Sequence, residues 1–141
     1  MSDLNIKNTK QVIAIRKDLK MRRGKEIAQG SHASMSFLTK DLNISQTIDS
    51  NGELVFISAV IFSEETKHWL ENSFRKICVY VNSERELKDL HQKALDNGLI
   101  SHIVEDNGAT EFNGVKTLTC CAIGPHYCSK FEGLTDHLPL L

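Results

Sequence analysis

No stretch of the 141 residues approaches the roughly 20 consecutive apolar residues that a membrane-crossing helix needs. Met1 to Lys10 is polar and lacks the apolar core of a signal peptide, so a cytoplasmic protein with no membrane partner is expected. Neither charge sign dominates: 17 Lys and Arg against 18 Asp and Glu leave a formal net charge of −1. Any affinity for nucleic acid must therefore come from how the charge is distributed. There is no internal repeat, no low-complexity tract and no C-x-x-C pair. The four cysteines, Cys78, Cys120, Cys121 and Cys128, are expected as thiols of a reducing compartment and not as a disulfide framework. A metal site through Cys120, Cys121, His126 and Cys128 is not expected, because adjacent strand residues point to opposite faces and do not converge on one ion. A cysteine nucleophile is not expected either, since strand cysteines usually act as small hydrophobes.

What is present suits one domain. The mass is 15.9 kDa, with 40% hydrophobic and 25% charged residues, as in soluble globular proteins. A chain this long buries a core without covalent staples. Residues 1–9 read as a flexible tail and 10–141 as a single domain. Gln11 to Arg16 is rich in β-branched residues and predicts a strand. A basic loop, Lys17 to Arg23, follows, then a helix from Gly24 to about Leu38. Residues 41–53 are polar and turn-rich, a flexible connection. Leu54 to Phe62 is compatible with a strand or a buried helix. Ser63 is placed to cap a short helix carrying Trp69 and Leu70. Lys76 to Val81 predicts a second strand. Ser83 and Glu86 have capping-box spacing, Leu87, Leu90, Ala94 and Leu95 form an apolar stripe, and Gly98 supplies a stop. Ser101 to Val104 and Leu118 to Ile123 read as strands, the latter ended by Gly124-Pro125. Strands alternating with helices predict an α/β layered domain.

The chemistry gathers in two stretches. Between Lys10 and Lys25 lie seven basic residues opposed only by Asp18, a local charge of +6. A cluster at a strand end and helix start suits a phosphate backbone, with Lys17, Lys20, Arg22 and Arg23 as the contacts; it also suits an ordinary solvated loop. On the following helix Lys25, Gln29 and His32 stand at i, i+4 and i+7 and share a face. That face is either a site or a polar solvent face with a structural histidine. The second stretch is Asp106-Asn107-Gly108-Ala109-Thr110, which is a turn signal and also puts a carboxylate where it can orient water or pair with a lysine. Thr117 and Thr119 are alternate strand positions and face one side.

Taken together, these residues resemble the type 2 peptidyl-tRNA hydrolases. The resemblance rests on K-Q-V-I-A-I-R-K-D-L-K-M-R-R-G-K-E-I-A-Q-G-S-H-A-S at 10–34, K-I-C-V-Y-V-N-S-E-R-E-L at 76–87, D-N-G-A-T at 106–110, A-I-G-P at 122–125 and L-T-D-H-L-P-L-L at the C-terminus. It implies a three-layer α/β fold, a small mixed sheet with helices on both faces. It implies hydrolysis of the ester between a peptide and the 3′-terminal ribose of tRNA, without a cofactor and often as a homodimer. The family's functional lysine maps onto Lys25, its aspartate onto Asp106, its glutamine onto Gln29 and its histidine onto His32. Its threonines map onto Thr110 and Thr119, with Thr117 as the other candidate for the second. The sequence departs from the pattern at Ala109, where a basic residue is usual, and at 43–61, which differ from the usual linking helices. The segment from Thr110 to A-I-G-P is one residue longer. On this reading Asp106 orients or deprotonates water, Lys25 neutralises the oxyanion or holds a tRNA phosphate, and Gln29 donates to the ester carbonyl. The alternatives are a non-catalytic RNA- or protein-binding module on the same fold, or a hydrolase of another aminoacyl or peptidyl ester.

Overall fold

The computed structural model describes residues 8–141. In chain order the elements are β1 (Thr9–Arg16), α1 (Arg23–Thr39), β2 (Ser45–Ile48), β3 (Leu54–Ile57), α2 (Glu64–His68), β4 (Lys76–Val81), α3 (Glu84–Asp96), β5 (Ser101–Asp106) and β6 (Thr117–Tyr127). Short 3-10 turns follow β1 and β6, and a π turn, Trp69–Ser73, extends α2. The expected tail falls largely outside the described residues. Its last member, Thr9, is fully buried in β1 and bonds His68 and Ser73.

Four strands form one mixed sheet in the order β4-β1-β6-β5. β1 runs parallel to β4 and antiparallel to β6, and β5 is antiparallel to β6. Because side chains alternate along a strand, the sheet feeds two cores. Ile13, Ile15, Cys120 and Ala122 pack with Ala33 on the α1 face. Val12, Ala14, Val79, Cys121 and Ile123 pack with Leu87, Leu90 and Ala94 on the α3 face. The result is the expected three-layer α/β arrangement, and Cys120 and Cys121 do point to opposite sides.

α3 begins as predicted. The Ser83 hydroxyl oxygen accepts the Glu86 N–H at 3.0 Å, and the Glu86 carboxylate accepts the Asn82 N–H at 2.7 Å. Leu95, placed on the apolar stripe by its spacing, is instead 44% exposed, one residue past the buried Ala94. α1 is pinned to β1 by a two-way link: the Gln11 amide donates to the Ser34 carbonyl at 2.9 Å and the Ser34 hydroxyl donates to Gln11 Oε1 at 2.6 Å.

Two segments differ from the sequence reading. Residues 41–53 hold a strand, β2, which pairs antiparallel with β3 in a separate two-stranded sheet. Only Leu54–Ile57 of the 54–62 run is strand. The second difference is that Gly124-Pro125 does not end β6, which continues to Tyr127. Pairing with β1 slips there, from Val12 opposite Ile123 to Lys10 opposite His126, so β6 carries an extra residue. β5 pairs no further than Ile123, which leaves Pro125 on an edge where a missing N–H is tolerated. Gly124 has φ +96°, and a Cβ there would meet the Lys10 carbonyl at 2.9 Å.

Candidate active site

The site lies at the end of the sheet where β1 and β5 finish and β6 begins. The Arg16 guanidinium closes that end, donating to the Leu118 carbonyl at 2.9 Å and pairing with Asp18 at 2.7 Å. Asp18, the one acid of the basic segment, is thus engaged by Arg16. Lys17, Lys20, Arg22 and Arg23 all stand exposed. Lys17 lies over the Tyr80 ring at 4.2 Å, and Lys20 takes a left-handed conformation, φ +51°, that turns the chain toward α1. Arg22 keeps 88% of its side chain in solvent although Glu111 lies 3.7 Å away.

The first turns of α1 carry Lys25 and Gln29 against the end of β5. Lys25 Nζ donates to Asp106 Oδ1 and to Thr110 Oγ1, both at 2.8 Å. The side chains of Lys25 and Asp106 are 14% and 10% exposed, so the pair is shielded yet reachable. Gln29, 3% exposed, donates its amide to Asp106 Oδ1 at 3.2 Å. Its carbonyl accepts the Thr119 hydroxyl at 2.5 Å. Asp106 also serves its turn, as Oδ2 accepts the Gly108 N–H at 2.9 Å. The Lys25 hydrogen bond, acting against burial and helped by the Gly108 N–H, holds the Asp106 carboxyl below its usual value. Asp106 is therefore a carboxylate at neutral pH, and a weak base.

The loop after β5 requires its glycine. Gly108 has φ +82°, and a Cβ would fall 2.2 Å from the Val115 carbonyl oxygen. The Asn107 side chain accepts the Ala109 N–H at 2.9 Å, so two successive side-chain turns bring Thr110 over Lys25.

β6 reaches Gln29 through a bulge. Val104 pairs with Cys120 but Glu105 with Leu118, leaving Thr119 as the extra residue. Thr119 and Cys120 consequently both serve the α1 side: the Cys120 thiol donates to the main-chain carbonyl of Gln29 at 3.3 Å. The Thr117 hydroxyl donates to the Val115 carbonyl, so of the two threonines it is Thr119 that meets Gln29.

Of the residues read from the sequence, Lys25, Gln29, Asp106, Thr110 and Thr119 come together. His32 does not; it is exposed, one turn beyond Gln29, where the β5 loop no longer reaches. Glu111 and Phe112 are not singled out by the sequence, and Cys120 is weighed there only as a metal ligand or nucleophile, not as a partner of Gln29. Glu111 and Phe112 directly follow the motif threonine. The Phe112 ring lies 5.8 Å from Lys25 Nζ. Among the described residues no three His, Cys, Asp or Glu side chains gather as metal ligands, and no helix is long and apolar enough to cross a membrane.

Residues 9–141 match the family described as peptidyl-tRNA hydrolase PTH2. The chain belongs to this family. It is 37% identical over 133 residues to a peptidyl-tRNA hydrolase of Methanocaldococcus jannaschii, covering 94% of this chain and 99% of that one. It is 34% identical to a peptidyl-tRNA hydrolase of Methanopyrus kandleri, over 94% of this chain and 97% of the relative. A probable peptidyl-tRNA hydrolase 2 of Dictyostelium discoideum is 33% identical over 98% of this chain, which spans 57% of that longer protein. A solved structure of a protein of unknown function from Agrobacterium tumefaciens strain C58 shares the fold alone, with a TM-score of 0.51, 9% identity and 94% and 97% of the two chains covered.

Proposed function

We propose that this member of the peptidyl-tRNA hydrolase family cleaves the ester joining a peptide to the 3′-terminal ribose of tRNA, with water as nucleophile and no cofactor. The observation that carries this reading is the Lys25–Asp106–Thr110 contact, backed by Gln29 and Thr119. Ester hydrolysis requires a held water and a cation or donor for the developing oxyanion. Asp106, kept ionised by Lys25, is better suited to hold and orient water than to take its proton, because a depressed carboxylate is a poor base at neutral pH. The Lys25 ammonium moves from Thr110 to the oxyanion as substrate enters. Gln29 fixes the carboxylate, and the amide face it turns to Asp106 is set by Thr119.

The exposed Lys17, Lys20, Arg22 and Arg23 bind the tRNA backbone, because phosphate contacts need accessible cations more than fixed geometry. Residues 10–141 act as one domain in the cytoplasm. Two unpartnered apolar surfaces, one on the β2–β3 hairpin and one beside α1, support a homodimer.

A single-turnover assay on peptidyl-tRNA, paired with equilibrium binding, tests the chemistry. Lys25→Ala and Asp106→Asn are each expected to slow cleavage by on the order of a hundredfold or more while tRNA remains bound. Unchanged cleavage in Asp106→Asn removes that residue from water handling. No cleavage by the wild-type protein overturns the hydrolase reading.

A further inference from the structure

Phe112 stands beside the charged cluster on a loop closed by its own backbone. Asn113 and Gly114 both take positive φ, +51° and +78°, and the Val115 N–H donates to the Phe112 carbonyl at 2.9 Å. Two successive positive φ values make a tight reversal, which sets the direction of the residue before it. The Gly114 N–H donates to the Gly108 carbonyl at 2.9 Å, so this reversal is tied to the turn that brings Thr110 to Lys25.

The Phe112 ring is half-buried. It packs against the cluster that contains Ile13, Met21 and Cys120 and keeps a face toward the site. Lys25 Nζ lies over that face at 5.8 Å, the outer limit of a cation–π contact, and directs its hydrogen bonds to Asp106 and Thr110 instead. The ammonium therefore does not fill the face. Among the described residues no other aromatic ring stacks on it.

The ester that Lys25 and Asp106 address sits on the ribose of the terminal nucleotide, so the base of that nucleotide lies one sugar away from the cluster. Unpaired bases are commonly held by stacking on aromatic side chains, and the terminal nucleotide of tRNA is unpaired. The attached peptide differs from one substrate to the next, whereas the terminal base of tRNA is always adenine. A ring held in one direction suits the constant partner.

We propose that Phe112 is the platform on which the terminal adenine stacks, holding the ribose ester against Lys25 and Asp106. The proposal rests on the ester hydrolysis of the reading above and names a part of the substrate that the site grips besides phosphate.

Two peptidyl-tRNAs that differ only in whether the terminal ribose carries adenine or no base test it. Wild-type kcat/KM is expected to be at least about tenfold higher with adenine. Phe112→Leu stays apolar but loses the flat face, and is expected to bring that ratio near one; Phe112→Trp is expected to restore it. Damage to the fold or to the cluster slows both substrates alike and leaves the ratio unchanged. A ratio that survives Phe112→Leu therefore overturns the platform, and so does a wild-type ratio near one. Binding gives a readout independent of cleavage. Uncharged tRNA with 2-aminopurine as its terminal base is expected to lose fluorescence through stacking on the wild-type protein and to keep it on Phe112→Leu. Unquenched fluorescence in the wild-type complex overturns the platform. If the wild-type protein cleaves neither substrate, the hydrolase reading fails and the quenching alone decides the platform.

Discussion

Gln29 has one orientation available to it. Its carbonyl takes the Thr119 hydroxyl, so its amide must face Asp106. Thr119→Val keeps the shape and removes that donor. The buried Gln29 oxygen is then left without its partner, a loss of about 1–3 kcal/mol of stability, and the amide is released from its fixed orientation. The expected outcome is a lower unfolding midpoint with a reduced kcat and little change in KM, while Thr119→Ser restores both. A Thr119→Val enzyme with wild-type kcat would mean that Gln29 is held by other contacts. Most of this site was legible in the sequence, since Lys25 and Gln29 stand one helical turn apart and the D-N-G-A-T turn is compact. The choice between Thr117 and Thr119 was not legible, because a bulge decides it and bulges leave no mark in residue type. His32 stands apart from the cluster for a related reason. Helical spacing assigns a shared face, but His32 lies roughly 10 Å along the axis from Lys25 at about 1.5 Å per residue.

At the scale of elements, the basic turn between β1 and α1 divides its labour. Arg16 and Asp18 hold the sheet end, and Lys17, Lys20, Arg22 and Arg23 are left for solvent or phosphate. Affinity for tRNA should therefore fall steeply with added salt, and Arg22→Glu with Arg23→Glu should flatten that dependence by about two phosphate contacts. A binding curve insensitive to salt and to both substitutions would make the turn an ordinary solvated surface. The strands and helices of the main sheet announced themselves by β-branched runs and caps. The hairpin did not, because Ser45-Gln46-Thr47-Ile48 has neither an apolar run nor a buried face, and its pairing with β3 is what makes it a strand. Gly124-Pro125 likewise reads as a stop, yet pairing with β1 resumes beyond it at Lys10 and His126, opposite a stretch where β5 has not yet begun.

For the molecule as a whole, three histidines set the response to acid. His126 accepts the Ile100 N–H on Nε2 at 2.8 Å, so Nδ1 carries the proton that meets Glu65 at 3.0 Å. His91 bonds the Ser101 hydroxyl, and the buried Nε2 of His102 has no partner among the described residues. Burial lowers all three below the usual histidine value, at His126 against the opposing pull of Glu65. The unfolded chain then binds more protons in mild acid than the folded one. Their contribution is complete above the unfolded histidine value of about 6.5 and is lost as pH falls below it. Thermal unfolding should shift to lower temperature between about pH 7.5 and pH 5.5, and His126→Gln should reduce that shift. An unfolding temperature that rises toward acid would contradict the neutral state of these rings.

The site is assembled from both sides of the hairpin: Lys25 and Gln29 precede it, and Asp106, Thr110 and Thr119 follow it. No side chain of the hairpin enters the cluster, and its tip around Asn51-Gly52 is exposed. Covalent continuity through that tip is therefore dispensable to the chemistry. A protease cutting at Asn51-Gly52 would leave a short and a long fragment that stay together, because β1 of the first is laced between β4 and β6 of the second. The nicked protein should co-purify as one species and hydrolyse as before, and the two fragments, expressed from separate genes, should complement each other into a working enzyme.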